Sequence, residues 1–314
     1  MCASRFESLP KKDQDRIRKF VQVRPNWMLD PDAMFAQEFE SFRDNAQGLR
    51  TRPPGKGYVY NSAADILASS MGVLARSVLQ RAIGIRLLSD DVAQLAAATY
   101  VASRLKYIED LARGLGSRST DCQHVFNVLA SFGASDTATA SATTKVHPGP
   151  ARDGHPLTVA LCNAVTGIMT RSNGLASIKT VLGQRRDSGY DQALCLALIA
   201  IIDGNATQLT DSLETMCKNY RRVFSMSRGE GLLTYFPLQV HGLYRLAVQG
   251  FRELHGLVPP APPASPLWDR EFHEAPIVTP DMSLVARFSP VVQKWAEQLP
   301  LSLDATEIES QLVL

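Results

Sequence analysis

The chain has 314 residues, of which 45% are hydrophobic and 20% are charged, a composition that excludes a disordered chain, a collagen and a disulfide-dense mini-protein. Its 33 lysine and arginine residues nearly balance 31 acidic residues, so the formal net charge is only +2. This balance gives the protein no overall field that would attract a nucleic acid or an anionic membrane, and we predict neither as a partner.

Apolar residues recur at three- and four-residue steps through the first 132 residues, which predicts an N-terminal helical half, residues 1–132. We predict five helices there, over approximately residues 13–23, 30–42, 62–79, 91–114 and 120–132. Capping residues mark two of the starts, because Asn61-Ser62 precedes the third helix and Ser89-Asp90-Asp91 precedes the fourth.

The stretch from Gly133 to Pro156 has a different character. Residues 133–141 are small, polar and aperiodic, and three prolines follow by residue 156. We therefore predict a flexible loop over residues 133–156, which separates the N-terminal half from a C-terminal helical half, residues 157–257.

Helical patterns resume at Leu157. We predict helices over approximately residues 157–182, 190–202, 207–224 and 229–255. The second of these, Tyr190–Ile202, is apolar nearly all round, which predicts the central helix of this half. Five prolines between Val258 and Pro266 indicate an extended linker, which opens a C-terminal segment, residues 258–314, with short helices over residues 282–288 and 291–299.

Strand signals are scarce, because no alternation of apolar and polar residues lasts six residues outside the loops that contain glycine and proline. The predicted fold is therefore all-α, an antiparallel helix-hairpin bundle in which Tyr190–Leu254 could form a solenoid-like stack.

Several features predict a cytoplasmic protein. The most apolar run, Ala193–Ile202, has ten residues, whereas a helix that crosses a membrane needs about 20. The N-terminal residues lack the basic and apolar stretches of a signal peptide. The cysteines form no CxxC pair, so we predict that all five are reduced thiols: Cys2, Cys122, Cys162, Cys195 and Cys217.

Motifs that carry chemistry are absent from the sequence. It contains no phosphate-binding GxxxxGKS/T or GxGxxG pattern, no GxSxG nucleophile elbow and no HExxH metal motif. We therefore predict no catalytic, cofactor-binding or metal-binding residues.

One loop nevertheless has a metal interpretation. His147, Asp153 and His155 share it and could supply metal ligands. Their setting is rich in proline and glycine and lacks the helical register that would hold them, which favours a solvated loop.

A second set of polar residues follows helical spacing on the face opposite an apolar stripe. It comprises His241, Arg245, Gln249 and Arg252. Such a patch could grip an anion or a partner, but a solvated helix face explains the same spacing and is favoured.

Two basic clusters lie near predicted helix ends, where cations complement the helix dipole. They comprise Arg185 and Arg186 in one cluster, and Arg221, Arg222 and Arg228 in the other. Nucleic-acid binding would need more such clusters with interleaved aromatic residues, so we favour the capping interpretation.

The segment Gly189–Leu254 resembles part of a known family. A buried helix and tight turn, Tyr190–Asn205, precede an amphipathic helix that ends in Tyr220–Phe224, and Leu232–Leu238 and Leu243–Ala247 follow. This order is similar to the C-terminal half of the all-helical immunity proteins that guard bacteria against polymorphic toxins, particularly immunity family forty-nine. The resemblance implies a cytoplasmic, non-enzymatic protein that binds a cognate toxin domain.

The leading hypothesis is therefore a non-enzymatic protein-binding module, an immunity protein that neutralises a cognate toxin or effector domain. Aromatic residues beside loops are candidate anchors for the partner, although we expect each tryptophan to be buried: Trp27, Tyr58, Tyr60 and Trp268. One alternative is a helical enzyme with an unrecognised pocket, for which the first suspects are Glu230, Tyr235, His241 and Arg245. A third is a scaffold of a secretion or effector complex.

Overall fold

The structure is a computed structural model that describes residues 6–7, 9–23, 30–51, 60, 62–115, 124–185, 187–223, 231–275 and 281–312. Over these ranges the chain is all-helical and contains no β-strand, so the predicted fold class is confirmed. No helix among them has both the length and the hydropathy that crossing a bilayer requires.

The described ranges contain fifteen α-helices and one 3₁₀-helix. The α-helices are α1 (Lys11–Val23), α2 (Pro31–Thr51), α3 (Ala63–Ser89), α4 (Val92–Leu115), α5 (Val125–Gly133), α6 (Thr137–Val146), α7 (Pro156–Thr170), α8 (Leu175–Gly183), α9 (Gly189–Asp203), α10 (Ala206–Val223), α11 (Leu238–His255), α12 (Arg270–Glu274), α13 (Ser283–Ala286), α14 (Pro290–Gln298) and α15 (Ala305–Leu312). The 3₁₀-helix, Gly231–Tyr235, lies between α10 and α11.

The chain divides into two compact units. The first unit combines Met1–Ser119 with Ala275–Leu314, and the second unit is the intervening Thr120–Glu274. The sequence-based division at residues 133–156 is therefore wrong, because that stretch lies inside the second unit.

The first unit is built on a hairpin of α3 and α4. The Ser62 hydroxyl caps α3 by accepting a hydrogen bond from the Asp65 backbone N–H, and Asp90 makes the sharp turn with a left-handed backbone, φ 56°. The buried Glu109 carboxylate of α4 forms ion pairs with Lys106 at 2.6 Å and Arg113 at 2.7 Å. A buried acid of this hairpin is thus fully neutralised by its own helix.

The C-terminal helices complete the first unit. The buried Arg104 guanidinium donates hydrogen bonds to the carbonyls of Ala296 and Glu297 at the end of α14, at 2.9 and 3.4 Å. The Tyr107 hydroxyl donates to the Pro300 carbonyl at 2.5 Å, and burial, followed by the nearby Asp110 charge, raises the pKa of Tyr107 to about 12. Side chains of α4 therefore hold the C-terminal segment through its backbone.

The second unit depends on one close helix crossing. A Cβ atom built on Gly242 of α11 would lie 1.7 Å from the Leu129 carbonyl oxygen of α5, and one on Gly133 would lie 2.5 Å from the Leu238 carbonyl oxygen. Only glycine allows two helix backbones to approach so closely.

The predicted flexible loop at residues 133–156 is wrong, because the ten residues of α6 form a helix within it. The Asp136 carboxylate caps α6 by accepting hydrogen bonds from the Thr139 backbone N–H and hydroxyl. Alanine and threonine side chains of this helix are buried, namely Thr139, Ala140, Ala142 and Thr143. Tertiary packing of small side chains thus overrides a weak local helix signal.

Two predicted helices are each broken once. The predicted helix 157–182 divides where Arg171 takes a left-handed backbone, φ 52°, between α7 and α8. The predicted helix 229–255 divides at Pro237, which precedes α11 and follows the 3₁₀-helix. Beyond α11, residues 256–265 contain no helix, as the prolines predicted.

Candidate functional site

An open groove of about 450 Å³ runs between α9 and α10 in the second unit. Amides, hydroxyls, an apolar side chain and one carboxylate line it: Gly189, Gln192, Ala193, Leu196, Asn205, Thr207, Gln208, Asp211, Ser212 and Thr215. Leu196 is 37% exposed, which is unusual on a helix whose other leucines are almost completely buried.

The local sequence explains how this groove forms. Gly204 takes a left-handed backbone, φ 67°, that ends α9, and the Asn205 side chain then accepts the Gln208 backbone N–H to start α10. Such a tight turn sets the two helices side by side. Because α9 is apolar nearly all round, one leucine remains on the face that the hairpin does not cover.

The groove carries negative charge. Asp211 is its one charged lining residue, and no cation of the described chain forms an ion pair with it. The neighbouring Asp191 is also exposed, and partial burial followed by the Asp187 charge raises the pKa of its carboxyl. Asp203, at the end of α9, is neutralised by Lys179 at 2.8 Å.

A second feature is an aromatic cluster formed by Phe236, His241, Tyr244, Trp268, Phe272 and His273. The buried His241 ring stacks on Trp268 with a centroid separation of 3.9 Å and meets the edge of Phe272 at 5.1 Å. The Asp269 backbone N–H donates to His241 Nε2 at 3.4 Å, which requires that nitrogen to be unprotonated.

The predicted solvated face of α11 is therefore only partly correct. Gln249 and Arg252 reach solvent, but His241 is completely buried and Arg245 is half-buried. His241 is buried and Arg245 half-buried because the chain after residue 256 returns and packs Trp268 and α12 against this face of α11. That contact joins residues 27 or more positions apart, so helical spacing alone does not reveal it.

Arg245 and His273 have shifted proton affinities. Burial lowers the pKa of the Arg245 guanidinium to about 10. Burial, followed by the Arg245 charge, lowers the pKa of His273 to about 4, so this imidazole is neutral at pH 7. The Arg245 guanidinium donates one hydrogen bond, from Nη2 to the His273 carbonyl at 3.1 Å.

A third feature is a buried thiol–imidazole contact. Cys162 Sγ lies 3.3 Å from His124 Nε2, and the His124 ring stacks on His147 at 4.0 Å with the planes only 3° apart. Both Cys162 and His124 are buried. This pair is not predictable from the sequence, because 38 residues separate its members and neither belongs to a motif.

The candidate metal-ligating residues do not form a metal site in the part of the chain that the structure describes. The His147 ring stacks on the His124 ring. Asp153 and His155 are exposed, and the His155 imidazole accepts a hydrogen bond from the Leu157 backbone N–H at the start of α7. Across the described ranges, no three histidine, cysteine or acidic side chains are grouped so that they could hold a metal ion.

The remaining candidates are dispersed. Arg185 forms an ion pair with Asp187 at 2.8 Å, and the Arg221 guanidinium lies 4.5 Å from the centroid of the buried Tyr235 ring. Tyr60 shares a hydrogen bond with Ser69, and Trp268 is buried, as expected for a tryptophan. Several predicted candidates lie outside the described residues: Cys2, Trp27, Tyr58, Cys122, Arg186, Arg228 and Glu230.

Comparison with known proteins gives no match: no protein-family model, no curated protein and no solved structure is significantly similar to this chain.

Proposed function

We propose that the chain is a non-enzymatic protein-binding module and that the α9–α10 groove is the centre of its binding surface. The observation that carries the proposal is the exposed Leu196, which stands among hydrogen-bonding side chains and an unneutralised carboxylate. An apolar centre with a polar rim is the usual composition of a protein interface. A stable complex would bury about 800 Å² of this chain, so the interface extends beyond the groove itself.

The lining residues define the chemistry of the partner. Its contact segment places an apolar side chain against Leu196 and a lysine or arginine against Asp211, because the groove offers no cation of its own among its lining residues. Amide and hydroxyl groups beside them, such as Gln192 and Thr215, can bond to the partner backbone.

The finer proposal is an immunity protein that acts in the cytoplasm and neutralises a cognate toxin or effector domain. The groove lies within Gly189–Leu254, the segment that resembles the helical immunity proteins. A toxin would be inhibited because the bound groove face blocks its active site or an essential contact.

The test combines capture with neutralisation. Tagged chain is used to isolate binding proteins from the source organism, in parallel with Leu196→Asp, Asp211→Lys and the control Val73→Asp, which alters an apolar residue of the first unit that is at least as exposed as Leu196. We expect a partner at 1:1 stoichiometry that both groove variants lose by at least tenfold in affinity and that the control retains. Equal retention by all variants would exclude the groove.

Neutralisation separates immunity from a scaffold. The captured partner is expressed in a host that lacks the chain, where we expect arrest of growth, and co-expression of the chain restores growth unless it carries Leu196→Asp. A partner that is harmless when expressed alone would instead support the scaffold of a secretion or effector complex.

A helical enzyme is the second candidate, and the contact between Cys162 and His124 is the observation that favours it. A catalytic thiol reacts faster than other thiols of the same chain, because a neighbouring imidazole removes its proton. Cys195 and Cys217 are matched controls, since burial raises the pKa of each to about 11. Preferential alkylation of native Cys162 by iodoacetamide, lost in His124→Asn, would support the enzyme, whereas equal protection of all three supports a structural contact.

A further inference from the structure

The aromatic cluster contains polar atoms whose hydrogen bonds are not accounted for. Trp268 Nε1, Arg245 Nε and His273 Nδ1 are buried, and none of the three has a hydrogen-bond partner within the part of the chain that the structure describes. A buried donor without an acceptor is costly, and in native proteins such groups are usually satisfied by protein, water or a bound ion.

These atoms belong to neighbouring side chains. The Trp268 and His273 rings have centroids 5.2 Å apart, and the Arg245 guanidinium donates to the His273 carbonyl at 3.1 Å. His273 therefore contacts both the indole and the guanidinium. Only 6% of the Trp268 surface is exposed, and its indole nitrogen is buried, so bulk solvent does not contact the N–H in this structure.

The charge of the cluster is also uncompensated. Burial removes much of the hydration of the Arg245 guanidinium, and no described carboxylate lies within ion-pair distance of it. The Phe272 ring has its centroid 5.8 Å from Arg245 Cζ, and an aromatic face replaces only part of a carboxylate. A buried cation without a counter-charge is normally unfavourable.

We propose that Arg245, Trp268 and His273 bind a small monovalent anion, of the size of chloride or a short carboxylate. The Arg245 Nε–H and the Trp268 Nε1–H donate to it directly, and neutral His273 donates as its Nδ1–H tautomer. Three unbonded donors on neighbouring side chains and one positive charge fit an anion better than a water molecule, which would leave the charge unbalanced. The site is independent of the α9–α10 groove.

Nuclear magnetic resonance of the full chain labelled with ¹⁵N-tryptophan tests the proposal, with the Trp268 indole signal assigned through Trp268→Phe. Sodium chloride and sodium acetate are titrated separately, while sodium gluconate, whose anion is much larger than acetate, holds the ionic strength constant. We expect a saturable shift of the Trp268 indole signal with at least one of the two anions and none at Trp295, which belongs to the first unit.

Two arginine variants give the matched comparison. Arg245→Met is expected to weaken the anion affinity by about tenfold or more, because it removes the charge and a donor. Arg252→Met, which alters an exposed arginine of the same helix, should leave it unchanged. If Arg245→Met does not fold, the wild-type titration still decides. No saturable shift with either anion, or a cross-peak from the indole to a resident water alone, would overturn the proposal.

Discussion

Each unit contains a buried or half-buried arginine, and the two differ in how completely their guanidinium groups are hydrogen-bonded. Arg104 of the first unit donates to two carbonyls of α14 and to the Tyr100 hydroxyl at 2.6 Å, and its guanidinium lies over the Tyr100 ring. Arg245 of the second unit donates to one carbonyl and leaves Nε unbonded among the described residues.

This difference in hydrogen bonding distinguishes a structural arginine from one with capacity to bind a ligand. Arg104 meets carbonyls at the negative end of a helix, so the fold itself supplies what the charge requires. Among the described residues, Arg245 has the His273 carbonyl as its one acceptor and no carboxylate to balance its charge. A half-buried arginine with an unbonded nitrogen, compared with a buried arginine whose bonds are supplied by the fold, therefore indicates where a site is, even without a sequence motif.

Among the substitutions considered, the largest loss of stability is expected at the close crossing of α5 and α11 in the second unit. Gly242→Ala puts a methyl group 1.7 Å from the Leu129 carbonyl oxygen, so α5 and α11 must separate, and we expect the free energy of unfolding to fall by about 3 kcal/mol. Urea denaturation measures it. Gly114→Ala is the control, because its added methyl meets no atom within 4 Å, and this variant should be as stable as wild type or more so.

The next prediction addresses the two arginines directly. Arg104→Met leaves the Ala296 and Glu297 carbonyls without a donor, and we expect a loss of about 2 kcal/mol. Arg245→Met in anion-free buffer removes an uncompensated charge, so we expect a change below about 1 kcal/mol in either direction. Calorimetric unfolding of both proteins measures the difference, and equal losses would contradict the contrast.

A smaller effect is expected at the paired acid of the first unit. Glu109→Gln weakens two ion pairs, but Lys106 and Arg113 are partly exposed and regain water, so we expect a loss of about 1 kcal/mol. Glu40→Gln, which breaks an exposed pair with Arg43, is the control and should not change the denaturation midpoint measurably. If both variants lose the same stability, burial of Glu109 contributes nothing.

The smallest change in stability is expected from protonation of His273 in the second unit. The folded pKa of His273 is about 4 and the unfolded value is 6.5, so the unfolded chain binds the proton first and stability falls as the pH drops from 6.5 to 4. Solvent screening of this half-buried ring limits the loss to less than about 1 kcal/mol. The pH profile of the urea midpoint should be flatter in His273→Gln, and an unchanged slope would show that the imidazole titrates normally.

Sequence reasoning recovered most of the helices because local signals define them. The predicted helix 190–202 agrees with Gly189–Asp203, and the predicted cap at Ser62 is present. It failed at α6, where a run of alanine and threonine has low periodicity and is helical because its small side chains are buried. The Asp136 cap three residues before Thr139 was the one available signal.

The candidate sites were less predictable, since long-range contacts build them. His241 and Arg245 share a polar stripe by spacing, and only the return of Trp268 converts that stripe into an enclosed cluster. Leu196 is one of many apolar residues on α9, and the sequence does not indicate which of them stays exposed. Position in the fold, rather than residue type, distinguishes these groups.

The insertion of the second unit between two parts of the first has a consequence for biosynthesis. The ribosome must complete Thr120–Glu274 before it makes α13–α15, which at about 5–20 residues per second delays the first unit by roughly ten seconds or more. During that interval Phe42 lacks its Phe288 partner and Arg104 lacks the α14 carbonyls. The first unit begins to emerge earlier yet matures later, and its unfinished apolar face is the surface that nascent-chain chaperones would meet.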